Sequence, residues 1–347
     1  MRRLLAVTVA VGILLLLGIG CDRPASGPIR YEKTFIDTFD TVVQLIAYDT
    51  DEATFTKKAE QIHGYLRHFD ALYDIYSPHT GVNNLFTVNQ SAGKQPVKVS
   101  PEILDLLEFG QRTYALSGGR VNIAAGAVLK LWHTARTNGL RTPEKAALPS
   151  EAALTEAARH TDISKMIIDR KNSTVFLADP RMRLDVGAIA KGFATEQVAK
   201  MAETLWDHAA ISAGGNVRVI GGKPDGDWEI GLESPFENAE SVLTTVLLKN
   251  KSLVTSGDYQ RYYTVNGKPY HHIIDPATNY PAAYHRSVTV LCADSGMADA
   301  LSTALFLLPL AKGQEMVEKL DGVDALWVSA DGTQTMTEGF KQARKQV

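Results

Sequence analysis

The apolar positions of the first half of the chain follow a strand pattern and then two helix patterns. Residues 39–47 carry β-branched side chains at 41, 42, 43 and 46, which predicts a strand. Apolar residues from Phe55 to Leu72 recur every three or four positions, which is typical of an amphipathic helix. A second helix is predicted with Ser100 as its N-cap, Pro101 at its first position and Gly118-Gly119 at its end.

The second half of the chain mixes short strands with separate helices. Strand runs with few helices between them favour an α+β fold with a mainly antiparallel sheet. Residues 30–347 contain no Pro- or Ser-rich linker, so we expect one compact unit with two lobes around a cleft. The predicted elements are a helix at 148–160, a hairpin of 166–168 with 174–177, a helix at 189–205, strands within 209–265, a strand at 287–291, a helix at 295–308 and a strand at 323–328.

The N-terminus differs from the rest of the chain. Basic residues precede an apolar run from Leu4 to Ile19, which is too short for a stop-transfer helix and has the layout of an export signal. Small or apolar residues before Cys21 resemble a bacterial lipobox, although a plain secretory signal cut near the same point would look similar. We therefore expect a lipoprotein signal peptide at 1–20, lipidation at Cys21, a tether at 21–32 and a folded domain at 33–347. Such a protein is exported and lipid-anchored to the bacterial membrane, facing the periplasm or the cell exterior.

Composition narrows the function classes. The 347 residues carry a net charge of −3 without long runs of one sign, so no electrostatic footprint for nucleic acid is present. The two cysteines are Cys21 and Cys292, and Cys292 lies in an apolar run. We expect Cys292 to be a buried, inert thiol in a fold without disulfides.

Residues 185–192 form the first segment with possible chemistry. Asp185 is predicted to end a strand, and a glycine turn then opens a helix that contains Lys191. Free N–H groups and the positive dipole end of such a helix suit a phosphate, and Lys191 adds a positive charge. On spacing alone, an ordinary strand-to-helix turn with a surface lysine is the better explanation.

The predicted helix near the C-terminus carries the second segment. Asp299 and Thr303 lie four positions apart on one face, with Ser302 beside them. Carboxylate, hydroxyl and carbonyl oxygens are the hard ligands that Mg²⁺ prefers, with phosphate oxygens completing the shell. The alternative is that Asp299 only stabilises the helix N-terminus.

The third segment contains adjacent histidines. His271 and His272 should point to opposite faces of a strand, so at most one of them faces a given site. His272 precedes two apolar residues and an acid, which places it at a strand edge facing a cleft. It is either a proton acceptor or a structural histidine.

The order of these segments resembles the ApbE family of flavin transferases, also called FAD:protein FMN transferases. The resemblance extends from about residue 33 to residue 340. Two departures are that residues 80–84 lack an acid-and-arginine pattern and that Asn122 stands where many relatives carry aspartate. The matching segments are 39–41, Tyr76 with Pro78, 122–126, 185–192, 214–216, 256–259 with Arg261, 272–276 and 298–304.

The resemblance implies a T-fold-like α+β architecture and a set of ligand contacts. FAD would be held by Asp185 and Lys191. Mg²⁺ would be held by the Ala188 carbonyl, Asp299 and Thr303, with help from Ser302. Further flavin or adenine contacts would come from Phe39, Tyr76, the Ala124, Ala125 and Gly126 backbone, and Ile273. His272 and Asp299 would be the catalytic residues, with His272 beside the reacting phosphate.

The implied activity is Mg²⁺-dependent transfer of FMN from FAD to a Thr or Ser hydroxyl of a target protein, with release of AMP. A lipid-anchored enzyme suits an acceptor that is a membrane redox subunit facing the same compartment. Two alternatives are a metal-dependent FAD pyrophosphatase that yields FMN and AMP, and a flavin- or solute-binding lipoprotein without catalysis.

Overall fold

The computed structural model describes residues 27–236 and 240–346. The predicted signal peptide and Cys21 lie outside these residues. Within the described ranges, no helix is both long and apolar enough to cross a membrane. Cys292 is buried, as predicted, and burial raises the pKa of its thiol to about 12, so the thiol stays protonated.

An antiparallel sheet forms the centre of the molecule. In the described part of the chain it has eight strands, and every neighbouring pair is antiparallel. The α+β class with a mainly antiparallel sheet is therefore confirmed. In spatial order, the strands are β1 (Ile29–Thr38), β2 (Thr41–Asp49), β6 (Ala209–Ala213), β7 (Asn216–Ile220), β10 (Ser252–Gly257), β15 (Ser287–Cys292), β16 (Asp324–Val328) and β17 (Gln334–Met336).

Smaller sheets surround the central one. A three-stranded sheet contains β3 (Val97–Lys98), β5 (Thr174–Leu177) and β4 (Met166–Asp169), so the predicted hairpin of β4 and β5 is confirmed. The two-stranded sheets are β8 (Trp228–Glu233) with β9 (Val242–Leu248), β11 (Tyr262–Val265) with β12 (Lys268–His271), and β13 (Ile274–Asp275) with β14 (Tyr280–Pro281).

The helices lie between and around these sheets. The α-helices are α1 (Glu52–Tyr73), α2 (Leu85–Gln90), α3 (Pro101–Leu116), α4 (Gly126–Arg141), α5 (Glu151–Ala158), α6 (Ala190–Ala202), α7 (Ser295–Phe306), α8 (Leu310–Val317) and α9 (Glu338–Ala343). Short 3₁₀ turns occur at Pro143–Lys145 and Ile163–Lys165.

Alternation along the strands separates two apolar layers. Val43 and Leu45 of β2 pack under α1 and α6, while Ile46 points to the opposite face. The opposite face is covered by the β8–β9 hairpin, through Trp228 and Val246. Because side chains of a strand alternate between faces, the central sheet is buried on both sides.

The predicted helices with strong apolar stripes are confirmed. The stripe of α1 buries Phe55, Ile62 and Leu66, and Asp51 caps the helix by accepting a hydrogen bond from the Thr54 N–H at 2.9 Å. The start of α3 at Pro101 is also confirmed, but the Ser100 side chain makes no capping hydrogen bond. The proline at the first position is thus the signal that located this helix correctly.

Several elements were not predicted, among them β1, α2, α4, α8 and α9. The strand predicted at 39–47 is the second half of a hairpin, in which Phe39 and Asp40 form the turn with φ values of 56° and 48°. Strand β1 escaped prediction because it is an edge strand whose side chains are mostly exposed, so it lacks an apolar alternation. Helix α4 was missed because no side-chain cap marks its start, although its buried Val128 and Trp132 lie four positions apart.

Candidate active site

A cavity of about 360 Å³ brings together most of the predicted site residues. Its walls come from α4, α6, α7, the central strands β7 and β10, and the segment around β11 and β12. The predicted residues that line it are Tyr76, Ala125, Asp185, Ala188, Lys191, His272, Ile273, Asp299 and Thr303. Those that do not line it are Phe39, Ala124, Gly126 and Ser302.

Asp185 is held at the cavity by its backbone. The Asn89 side chain clamps Leu184, because its Oδ1 accepts from the Leu184 N–H at 2.6 Å and its Nδ2 donates to the Leu184 carbonyl at 3.0 Å. The Asp185 N–H donates to the Ile123 carbonyl at 2.8 Å. The strand predicted before Asp185 is wrong, since the pairing there is a single parallel bridge between Arg183 and Ala125.

The first turn of α6 has few backbone N–H groups free to bind a phosphate. The Ala190 N–H donates to the Val186 carbonyl, and the Gly192 N–H donates to Asp299 Oδ2 at 2.8 Å. These donors were expected to be free for a ligand. An anion at this corner would therefore depend on the Lys191 side chain, which lines the cavity.

Asp299 is the buried acid of the cavity. Its side chain belongs to the inner face of α7, and its Oδ2 also lies 3.4 Å from Asn216 Nδ2. Burial raises the pKa of Asp299, against the opposing effects of the Lys191 charge and the Gly192 hydrogen bond. Burial likewise lowers the pKa of Lys191, with the charge of Asp299 opposing that shift.

The approach of α6 to α7 requires glycine at position 192. A Cβ placed there would lie 2.3 Å from the Asp299 Cβ and 2.4 Å from the Ser295 carbonyl oxygen. The start of α7 is held by a further contact, because Glu196 of α6 accepts from the Ser295 N–H at 2.8 Å and from Arg218 Nε at 3.1 Å. Both contacts fix Asp299 relative to Lys191.

Ser302 faces away from the cavity. It is fully buried, and its hydroxyl donates to the Asp299 carbonyl at 2.9 Å. It also shares a hydrogen bond of 2.8 Å with Ser256, which does line the cavity and lies 3.4 Å from Thr303 Oγ1. Ser302 therefore positions Ser256 and α7, while Thr303 itself lines the cavity.

The donor set fits a hard cation bound together with a phosphate. Across the described residues, no cluster of three or more His, Cys, Asp or Glu side chains could hold a metal alone. Asp299 and Thr303 share one face of α7, and Ala188 lies in the turn before α6. One carboxylate with neutral oxygens and substrate phosphates is the kind of site in which Mg²⁺ is usually bound.

His272 follows β12 and is open to water in the cavity. Its Nδ1 lies 3.2 Å from the Arg261 carbonyl, which can only accept, so Nδ1 carries the proton. Crowding by protein atoms in the cavity, and then the charges of Arg261 and Arg136, lower the pKa of His272 well below its usual range. The imidazole is therefore neutral near pH 7, and Nε2 has a free lone pair.

His271 has a different environment. Its Nε2 donates to the Ala282 carbonyl at 2.7 Å, and its ring meets the Phe306 ring edge-on at 5.6 Å. These contacts make His271 the structural member of the pair.

An aromatic platform lies on the cavity wall. The rings of Tyr76 and His133 lie 5.2 Å apart at an angle of 32°. Asp74 orders the Tyr76 loop by accepting from the Tyr76 and Ser77 N–H groups. Burial, and then the charge of Asp185, raise the pKa of Tyr76 to about 12. Such a platform suits a planar ring system.

The predicted residues outside the cavity act through their neighbours. Phe39 donates its N–H to Asp70 Oδ1 at 2.8 Å, which holds the hairpin turn whose residues Asp40 and Thr41 line the cavity. Gly126 packs so closely on the backbone that a Cβ would lie 2.5 Å from the Arg183 carbonyl oxygen.

Sequence reasoning missed several cavity residues. His133 and Arg136 lie on the unpredicted helix α4, whereas Asn216 and Ser256 belong to segments that match the family but were given no role of their own. The spacing of His133 and Arg136, three positions apart in a helix, would have been the signal to find them.

Comparison with known proteins places this geometry in a family. Residues 39–327 match the model of the ApbE family. The chain belongs to the ApbE family. An FAD:protein FMN transferase of Klebsiella pneumoniae is 32% identical over 289 residues, covering 83% of this chain and 85% of the relative. An FAD:protein FMN transferase of Treponema pallidum is 33% identical over 296 residues, covering 79% and 80% of the two chains.

Solved structures agree with the fold of this ApbE-family chain. The ApbE protein of Thermotoga maritima superposes with a TM-score of 0.80 at 29% identity, covering 92% of this chain and all of that one. The flavin transferase ApbE of Vibrio cholerae superposes with a TM-score of 0.76 at 24% identity, covering 91% and 99%, and supports the fold alone.

The close contact at Gly192 leads to a stability prediction. Gly192→Ala should lower the free energy of unfolding by roughly 1–3 kcal/mol, because α6 and α7 must separate to admit the methyl group. Denaturant unfolding measures this change. The matched control is Gly64→Ala, on the exposed side of α1 with open space around it, which should leave stability equal or higher. Equal stability of Gly192→Ala and the wild type would contradict the packing argument.

Proposed function

We propose that this chain transfers FMN from FAD to a Thr or Ser hydroxyl of an acceptor protein, releases AMP, and depends on Mg²⁺. The observation that carries the proposal is the contact between Gly192 and Asp299, which sets Lys191, Asp299 and Thr303 around one cavity with His272. The names of the relatives support the same reaction. A membrane redox subunit remains the expected acceptor.

The residues present suit both the metal and the nucleotide. Mg²⁺ would be held by the Asp299 carboxylate, the Thr303 hydroxyl and the Ala188 carbonyl. When bound, it would stabilise negative charge on the diphosphate as the P–O bond breaks. FAD would be held by Asp185 and Lys191, with a ring of the nucleotide on Tyr76.

Side chains of the protein would remove the proton of the acceptor hydroxyl and compensate charge during the transfer step. The acceptor oxygen forms a bond to the FMN phosphorus, and the bond from that phosphorus to the oxygen of the AMP phosphate breaks. Nε2 of His272 takes the hydroxyl proton, since it is unprotonated and open to the cavity. The Lys191 ammonium offsets charge on the diphosphate.

Removal of the carboxylate tests the metal assignment. Asp299→Asn should lower FMN transfer by about 100-fold or more, because the site loses its charged metal ligand. The assay incubates the protein with FAD, Mg²⁺ and an acceptor domain of a covalent flavoprotein, and then measures acceptor fluorescence in a denaturing gel. Asp321→Asn, on an exposed loop, is the control.

The products separate the alternatives. A fluorescent acceptor supports transfer. AMP and free FMN without a labelled acceptor support a pyrophosphatase, and unchanged FAD supports a binding protein. Full transfer by Asp299→Asn would contradict the metal assignment.

The pKa of His272 predicts the pH profile. A base acts only when unprotonated, and a lowered pKa keeps His272 unprotonated as the pH falls through 7 toward 6.5. The value of kcat/KM for FAD should therefore change little between pH 7.5 and 6.5 and decline only below that range. His272→Asn should reduce the rate and remove this decline. A wild-type decline centred above pH 6.5 would argue against His272 as the base.

We also propose that the chain is exported and anchored to the membrane by lipid on Cys21. The support is the basic start, the apolar run and the small residues before Cys21. Cys21→Ser should move the protein from the membrane fraction to the soluble fraction of cells and abolish labelling by a fatty-acid analogue. Cys292→Ser should change neither. A Cys21→Ser protein that still sediments with membranes would refute the anchor.

A further inference from the structure

Two arginines on the cavity wall lack an acidic partner. Arg136 belongs to α4, and Arg261 lies between β10 and β11. Among the described residues, neither guanidinium has a carboxylate oxygen within 4.0 Å or donates a side-chain hydrogen bond. Arg120, on the same cavity, shows the usual arrangement, because it pairs with Asp275 at 2.7 Å.

The two unpaired charges line the same cavity. Burial, and then the positive charge of Arg261, lower the pKa of Arg136, while Tyr76 and Asp185 oppose that shift. Arg136 is half-buried and Arg261 is exposed. Two positive charges on one cavity wall favour the binding of an anion that compensates them. Guanidinium groups bind phosphate oxygens in a fork geometry, so phosphate is the anion that suits this pair best.

The neighbours of the arginines indicate where that phosphate would lie. Arg136 is three positions after His133 on α4, and the His133 ring lies 5.2 Å from the Tyr76 ring at a tilt of 32°. The Arg261 carbonyl accepts from His272 Nδ1. The pair therefore extends from the aromatic platform to the proposed base. Lys191 and Asp299 belong to other helices, α6 and α7.

We propose that Arg136 and Arg261 form a second phosphate site, which binds a phosphate group of the flavin nucleotide independently of the metal. This inference rests on the proposed function, since it assumes a flavin nucleotide in the cavity. A ring system on Tyr76 and His133 would bring the attached phosphate to these guanidinium groups. They would orient the nucleotide so that its phosphorus faces His272, and they would offset charge on the phosphate.

The test measures binding and not transfer. The full-length protein is titrated with FAD, FMN and riboflavin in EDTA, with flavin fluorescence as the readout, and AMP is tested by competition. Arg136→Gln should weaken binding of FAD and FMN by about ten-fold or more, because a charge-assisted contact is lost. Binding of neutral riboflavin should change less than about two-fold by the same reasoning. Arg136→Lys should fall between Arg136→Gln and the wild type.

Two controls keep the result specific. Arg141→Gln removes an exposed arginine from the same helix, where it bonds Asn138, and should bind all ligands as the wild type does. The unfolding temperature of each variant shows whether it is folded. If the substitution Arg136→Gln reduces the affinity for FMN more than the affinity for AMP, the site binds the FMN phosphate. The reverse assigns the AMP phosphate.

Other outcomes overturn the inference. Equal losses for riboflavin and FMN would show that Arg136 supports the platform only. Unchanged flavin affinity with a raised KM for the acceptor would show that the anion belongs to the acceptor. Because the readout is binding in EDTA, a wild type that binds FAD but transfers no FMN would refute the proposed function and leave the phosphate site standing.

Discussion

The cavity depends on the hydrogen bond from the Gly192 N–H to Asp299 Oδ2. This bond joins residues that are 107 positions apart, and it exists because position 192 has no side chain. It uses a free donor of the first turn of α6 to satisfy a buried carboxylate oxygen. The ion pairs of Arg218 with Glu196 and Glu203 hold α6 to β7. Asp299 is thereby kept ionisable, rigid and close to Lys191, which are the properties that a metal ligand beside a diphosphate needs.

The cavity contains several ionisable side chains whose charged forms are disfavoured by burial. Asp299 and Lys191 are both shifted toward their neutral forms by burial, and each stabilises the charged form of the other. The arginines 136 and 261 lack such a partner, and after burial their charges are the next causes of the lowered pKa of His272. The proposed ligands, a dianionic diphosphate and a divalent cation, would compensate charges of both signs, so their binding would stabilise this arrangement of side chains.

Sequence reasoning located helices α1, α3, α6 and α7 and the segments that carry Asp185, Lys191 and Asp299. Helix α1 was predictable because its stripe is a local property of spacing, and α3 because proline marks its start. Strand β1 was harder to predict because most of its side chains are exposed at the sheet edge, and helix α4 because no side-chain cap marks its start. The failure to predict α4 matters more for the site, because this helix places His133 and Arg136 in the cavity wall.

The sequence by itself determined which residue types stand at short spacings, and so it determined the segments 185–192, 271–276 and 298–304 and the family to which they point. Only the tertiary structure decided which side chains of each segment face the cavity. Ser302 and Thr303 are neighbours on α7, yet one is buried against Ser256 and the other faces the cavity. The reason is that the rotation of a helix about its axis is set by what it packs against, and those partners are distant in the chain.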